Sequence, residues 1–129
     1  MKAISKWSVV GVLLAAGAMV AQNPGITRTI IQRKDISMPG CEAVIARVEI
    51  AVGASAGRHT HPGEEISYIL EGQGDILVDG QPVQHVKAGD SFVIPNGAIH
   101  DAHNTGTVPL KLVGVYLVDK SKPLATPAP

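Results

Sequence analysis

The segment GASAGRHTHPGEEISYILEG contains two histidines and a carboxylate whose spacing could place all three on one metal ion. Residues two apart on a β-strand point to the same face, so the imidazoles of His59 and His61 would lie side by side. The dipeptide Pro62-Gly63 predicts a turn that returns Glu65 next to them. Two imidazoles and a carboxylate suit iron, manganese, nickel, zinc or copper, and they leave coordination positions open for water or substrate.

A fourth candidate ligand, His100, lies downstream in the segment GDSFVIPNGAIHDAHN. The residues Pro95-Asn96-Gly97 form a turn signal immediately before it, and the residues that follow resemble a strand. Because the candidate ligands come from two separated segments, they can meet only in a folded site.

Two complete motifs in these segments resemble those of the cupin superfamily. The first motif, G-x5-H-x-H-x3-E-x6-G, is filled by Gly53, His59, His61, Glu65 and Gly72. The second motif, G-x5-P-x-G-x2-H-x3-N, is filled by Gly89, Pro95, Gly97, His100 and Asn104. The resemblance extends over the stretch from Arg47 to Val118, and no fixed motif position is substituted.

The resemblance implies an all-β fold, a single jelly-roll β-barrel of short antiparallel strands with its metal ligands pointing inward. The family's ligands fall on His59, His61, Glu65 and His100, which implies one divalent transition metal per chain: Mn, Fe, Ni, Zn or Cu. Glu64 is the alternative carboxylate, but only Glu65 has the motif spacing to both neighbours. The fold alone does not identify the reaction, because it is shared by dioxygenases, isomerases, decarboxylases and non-catalytic binding proteins.

Two functions are consistent with this site. The first is a metal-dependent enzyme acting on a small, oxygen-rich, chelating substrate, in which Glu65 is both a ligand and the catalytic residue that accepts a proton. The alternative is a periplasmic protein that binds a metal or small molecule without turnover. Two residues predicted to point inward beside the ligands, Ser67 and Ala102, are small and unreactive, which favours the alternative. The other histidines, His85 and His103, are predicted to have surface or structural roles.

Residues 1–21 have the pattern of a secretory signal peptide. Lys2 and Lys6 precede an uncharged apolar run that ends in small residues around Ala16-Gly17-Ala18 and Ala21. The sequence therefore predicts a periplasmic or secreted protein with no stable membrane anchor after cleavage. An uncleaved amino-terminal anchor is the alternative, because the apolar run is only slightly shorter than a membrane span.

The overall composition narrows the range of partners. The chain has 129 residues, 11 acidic and 11 basic, with a formal net charge of zero. This balance gives no electrostatic reason to expect nucleic acid as a partner, and a small-molecule ligand or substrate is predicted instead. The single cysteine, Cys41, cannot form an internal disulfide, so it is either a buried or free thiol or half of an intermolecular bridge.

Turn residues and apolar alternation divide the rest of the chain. Residues 22–46 are predicted to form an amino-terminal strand region, 47–118 the barrel and 119–129 an extended, proline-rich tail. Thr27–Asp35 predicts an edge or exchanged strand, which suggests a homodimer. Five alternating residues predict one buried strand face: Val44, Ala46, Val48, Ile50 and Val52. Asp79-Gly80 predicts a hairpin, and no segment after residue 21 has a helical apolar period.

Overall fold

The computed structural model describes residues 24–129, so the predicted signal peptide at 1–21 lies outside the described residues. The described part of the chain contains ten strands and no helix, and hence no helix long and apolar enough to cross a membrane. The strands are β1 (Ile26–Asp35), β2 (Cys41–Ile50), β3 (His59–Thr60), β4 (Gly63–Glu71), β5 (Gln73–Val78), β6 (Gln84–Lys87), β7 (Ser91–Ile94), β8 (His100–Asn104), β9 (Leu110–Asp119) and β10 (Thr126–Pro127).

These strands form two five-stranded antiparallel sheets. The first sheet has the order β1-β2-β9-β4-β7, and the second has the order β10-β3-β8-β5-β6. The strand β9 lies at the centre of the first sheet, and β1 forms one edge. The all-β fold predicted from the sequence, a jelly-roll barrel of short antiparallel strands, is confirmed.

Strand β2 shows why the apolar alternation produces a sheet with one buried face. Four of its alternate residues are at most 3% exposed: Val44, Ala46, Val48 and Ile50. Val52, predicted to continue this face, is 54% exposed. The prediction was wrong for Val52 because β2 ends at Ile50 and the chain then turns at Gly53, whose φ of 71° is a left-handed conformation that glycine adopts readily.

Strand β4, unlike β2, buries polar residues and exposes apolar ones. Its inward positions include Glu65 and Ser67, which are 5% and 1% exposed, whereas Ile66 and Tyr68 face outward. Buried polar groups are informative because their desolvation must be offset by hydrogen bonds or by a bound ion. The inner face of β4 is therefore the part of the barrel where a site is expected.

The last residue of the second motif, Asn104, stabilises the connection between β8 and β9. Its Nδ2 donates hydrogen bonds to the carbonyl oxygens of Ile50 and Val108, both at 2.9 Å, and its Oδ1 accepts one from the Gly106 amide. These bonds satisfy a side chain that is 1% exposed. The role of Asn104 is thus to hold the loop after β8.

Two predicted connections can be compared directly with the structure. The Asp79-Gly80 hairpin is present, joining β5 to β6 with Gly80 at a φ of 78°. The carboxyl-terminal segment is extended and ordered: β10 pairs with β3, and the Ala128 amide donates a hydrogen bond to the Arg58 carbonyl. This segment therefore packs against the strand that carries His59.

Candidate metal centre

The four predicted ligands meet inside the barrel. His59 lies in β3, directly paired with His100 at the start of β8, while His61 follows β3 and Glu65 lies in β4. The Nε2 atoms of His59 and His61 are 3.2 Å apart. Glu65 Oε2 lies 3.1 Å from His61 Nε2 and 3.3 Å from His100 Nε2. All four ligand atoms lie within 4.8 Å of one another, so the cluster could hold a metal ion.

The other ring nitrogen of each histidine contacts a main-chain carbonyl oxygen. The three contacts are His59 Nδ1 to Gly57 at 2.6 Å, His61 Nδ1 to Leu124 at 2.6 Å and His100 Nδ1 to Ala98 at 2.9 Å. A carbonyl oxygen can only accept a hydrogen bond, so each Nδ1 must donate a proton. In a neutral ring the lone pair is then on Nε2, which is the nitrogen that faces the cluster.

This arrangement fits a bound cation. With both Nδ1 atoms protonated, the 3.2 Å contact between His59 and His61 brings two nitrogen lone pairs together, which is unfavourable without a positive charge between them. Apart from its 3.3 Å contact with Glu65 Oε2, the buried His100 Nε2 has no hydrogen-bond partner among the described residues. Three imidazole nitrogens and one carboxylate form a donor set that suits a divalent transition metal.

The electrostatic environment keeps two of the candidate ligands, His59 and Glu65, in the protonation states that a metal requires. Burial, with smaller contributions from the neighbouring His100 and His61, lowers the pKa of His59 to about 4, so this ring is neutral at pH 7. Burial alone would raise the pKa of Glu65, but its contacts with His100, His61 and Ser67 outweigh burial and hold that pKa well below its usual range. The carboxylate is therefore ionised.

Ser67 supports Glu65 directly. Its hydroxyl donates a 2.7 Å hydrogen bond to Glu65 Oε1, leaving Oε2 to face the histidines. The sequence prediction treated Ser67 as a small, unreactive neighbour and missed this role. The available signal was its position two residues after Glu65, which places a hydroxyl on the same buried face as the carboxylate.

A small, partly open cavity lies against the cluster. Tyr116 forms part of its wall, with its ring centroid 4.7 Å from that of His61. Burial, and to a lesser extent the charge of Glu65, raises the pKa of Tyr116 to about 12. Sequence reasoning did not identify Tyr116 or Arg28 as wall residues. The apolar part of the wall includes Ile26, Val48, Ile50, Phe92 and Leu112.

The alternative carboxylate, Glu64, and the two other histidines, His85 and His103, lie outside the cluster. Glu64 is exposed on the outer face of β4. His85 is exposed and contacts Asp75 at 2.6 Å, and His103 pairs with Asp75 within the second sheet. The expected surface or structural roles of these two histidines agree with these positions.

A comparison with protein families identifies the fold's relatives. Residues 46–116 match the family model described as the cupin domain. The chain belongs to the cupin family. Among solved structures, a cupin-like protein from Thermotoga maritima superposes with a TM-score of 0.66 at 20% identity, covering 80% of this cupin and 75% of that chain.

The curated relatives include an oxalate-binding protein and an acireductone dioxygenase. The oxalate-binding protein of Thermotoga maritima is 38% identical over 76 residues, which are 58% of this cupin and 62% of that protein. The acireductone dioxygenase of Rhodopseudomonas palustris is 42% identical over 64 residues, 47% of this cupin and 38% of that protein. This cupin therefore spans less than two thirds of either relative's length.

Proposed function

We propose that this cupin binds one divalent transition metal ion through His59, His61, Glu65 and His100 and acts on a small, oxygen-rich substrate that chelates the ion. The observation that carries the proposal is the convergence of three imidazole Nε2 lone pairs and an ionised carboxylate at the end of an open cavity. A divalent ion held there would supply a Lewis acid with positions free for oxygen ligands.

The chain's own residues would orient and isolate the substrate. Main-chain carbonyls fix the three imidazole rings, and Ser67 fixes one oxygen of Glu65. The apolar wall around Phe92 and Leu112 limits access by water. The low pKa of Glu65 suits an anionic ligand and makes it a weak proton acceptor. Proton transfer to Glu65 during catalysis therefore stays a prediction.

The relatives support a small ligand, and the enclosed space beside the cluster is itself small. One relative is named for binding oxalate and another for the dioxygenation of acireductone, both small oxygen-rich molecules. We infer a ligand of similar size and chelating character for this cupin.

Binding without turnover is the second candidate function, and the cavity wall favours it in one respect. Asp101 is the other carboxylate that lines the cavity, and its Oδ1 accepts hydrogen bonds from the amides of Gly57 and Ala102. These bonds tie the Asp101 carboxylate to the main chain. Tyr116, with a pKa of about 12, is a weak acid at neutral pH. The wall thus offers few groups for acid–base catalysis.

Metal analysis tests the proposed site. We expect the purified, untagged protein to contain about one transition metal ion per chain, and a His59→Ala, His100→Ala variant to contain little. His85→Ala, His103→Ala is the matched control, because it also removes two histidines but leaves the cluster intact. Equal metal content in the parent and the cluster variant, or no metal in either after incubation with all five candidate metals, would refute the metal site.

A second measurement separates the two functions. The metal-loaded protein is incubated in air with oxalate or with a 2-oxo acid, and substrate and products are followed by chromatography. Consumption that disappears in the cluster variant would support the enzyme. Saturable binding with quantitative recovery of every acid tested would support the binding protein.

Export and self-association are further parts of the proposal. We infer export from the signal-peptide pattern of residues 1–21, and pairing of two copies from the edge position of β1. Amino-terminal sequencing of protein recovered from the periplasm or medium tests the first. Sedimentation velocity tests the second, and a monomer at high micromolar concentration would contradict it.

A further inference from the structure

Arg28 brings a positive charge to the cavity that leads to the metal centre. It lies on β1, paired with Val48 of β2, and it lines the cavity together with His59, Glu65 and His100. Neighbouring β1 residues Thr27 and Thr29 are exposed, whereas Arg28 is half-buried. Strand alternation therefore directs this one arginine inward.

The side chain of Arg28 retains hydrogen-bonding capacity that the protein does not use. Its Nε is buried and has no hydrogen-bond partner among the described residues. A buried donor without a partner is unfavourable because nothing offsets its desolvation. Arg28 lies near Tyr116, with Cζ 5.8 Å from the ring centroid, and interacts with that side chain through a hydrogen bond, but its Nε remains unsatisfied.

Neither carboxylate in the cavity wall neutralises Arg28. Glu65 is engaged by His61 and Ser67, and Asp101 accepts two main-chain amide hydrogen bonds. Within residues 24–129, no ion pair is formed by Arg28. A bound divalent ion and Arg28 would together carry three positive charges against two carboxylates, so one positive charge would remain in a largely apolar cavity. Such a site favours an anion.

We propose that Arg28 determines specificity by binding the carboxylate of a small organic acid that chelates the metal ion. The ligand class of this cupin is then small organic acid anions, in preference to neutral diols or amides of the same size. A guanidinium suits this role because its planar array of N–H donors matches the two oxygens of a carboxylate. The inference deepens the proposed function and rests on it.

Calorimetric titration of the metal-loaded protein tests the role of Arg28. The probes are glycolate, an anion that chelates through a carboxylate and a hydroxyl, and glycolamide, its neutral counterpart. The proteins are the parent, Arg28→Gln, Arg28→Lys and the control Arg33→Gln, which removes an exposed arginine from the same strand. Metal content and thermal unfolding are measured for each, so that a folding defect is recognised.

We expect the parent and Arg33→Gln to bind glycolate at least tenfold more tightly than glycolamide. Arg28→Gln should lose about 10- to 100-fold in glycolate affinity, as expected for a lost charge-assisted hydrogen bond. The glycolamide affinity and the metal content of Arg28→Gln should be unchanged. The glycolate affinity of Arg28→Lys should lie between those of the parent and Arg28→Gln.

Unchanged glycolate affinity in a folded, metal-loaded Arg28→Gln protein would overturn the inference and leave the metal site intact. A metal-loaded parent that binds glycolate no better than glycolamide would overturn it as well. A parent without metal would instead refute the proposed function on which the inference rests.

Discussion

At the scale of single residues, the hydrogen bond from Ser67 to Glu65 controls the carboxylate of the site. Ser67→Ala would leave Oε1 buried without its donor and raise the pKa of Glu65. Loss of such a supporting hydrogen bond typically lowers metal affinity about 10- to 100-fold. Competition with a chromogenic chelator measures the affinity, and Ser91→Ala, at an exposed serine of β7, is the control. Equal affinities in the parent and Ser67→Ala would contradict this prediction.

The depressed pKa of His59 makes the stability of the metal-free protein depend on pH. The folded state has a His59 pKa of about 4, against an ordinary value of 6.5 in the unfolded chain. Between these pH values the unfolded state binds more protons, so the free energy of unfolding rises with pH. The lowered pKa of Glu65 acts in the same direction below its ordinary value of 4.5.

We therefore expect chelator-treated protein to lose stability as the pH falls from 6.5 towards 4. Urea unfolding across this range measures the effect. His59→Gln should flatten the curve because it removes one titrating group, whereas His85→Gln, at an exposed position, should not. Stability that is constant or that increases on acidification in the parent would contradict the assignment.

At the scale of strands, the start of β4 requires a residue without a side chain. A Cβ at Gly63 would lie only 1.9 Å from the Leu117 carbonyl oxygen of the neighbouring β9. Gly63→Ala must therefore separate β4 from β9 just before Glu65. We expect a loss of about 1–3 kcal/mol or more in unfolding free energy, together with weaker metal binding.

Urea unfolding and metal titration measure the effect of Gly63→Ala. Gly106→Ala is a milder control, since its nearest contact would be the flexible Gln73 side chain at 3.0 Å. If Gly63→Ala were as stable as Gly106→Ala, the two strands would be less tightly apposed than the structure indicates.

The carboxyl-terminal segment also positions a ligand, because the Leu124 carbonyl accepts the Nδ1 hydrogen bond of His61. Removal of residues 123–129 should lower metal affinity about 10- to 100-fold. Leu124→Ala is the matched control, since it keeps the main-chain carbonyl and should retain most of the affinity. Competition with a chelator measures the metal affinity of the two variants. Equal losses of affinity would mean that the Leu124 side chain, and not its carbonyl oxygen, is responsible.

At the scale of the whole molecule, the metal ion should couple the two sheets. Its ligands come from β3 and β8 in the second sheet, from β4 in the first and from the loop between β3 and β4. At a free metal concentration of about 100 times Kd, binding adds about 2.7 kcal/mol to stability. For a domain of this size, that corresponds to a rise of roughly 10–20 °C in Tm.

Differential scanning calorimetry with and without metal measures this rise. The His59→Ala, His100→Ala variant should show little change on adding metal. An equal rise in the parent and in this variant would mean that the ion acts elsewhere on the protein.

Features of the site that depend on the spacing of residues close in sequence could be predicted from the sequence. Features that depend on the pairing of strands distant in sequence could not. The candidate ligands could be predicted because each motif places its residues within one strand–turn–strand unit. Arg28 and the Leu124 carbonyl could not, since they reach the site only through the pairing of β1 with β2 and of β10 with β3. The error at Val52 has a similar cause, because alternation does not indicate where a strand stops.

The hydrogen-bond acceptors that orient the three imidazoles are all main-chain oxygens. Substitutions therefore affect the orientation of the imidazoles and the lining of the cavity differently. Substitutions at Gly57, Ala98 or Leu124 alter a side chain but cannot delete the carbonyl. Arg28 and the apolar wall line the cavity with their side chains, so substitutions at these positions would alter which small molecules the cavity binds. Descendants of one ancestral barrel could thus inherit the same candidate metal centre while diverging in the small molecule they bind.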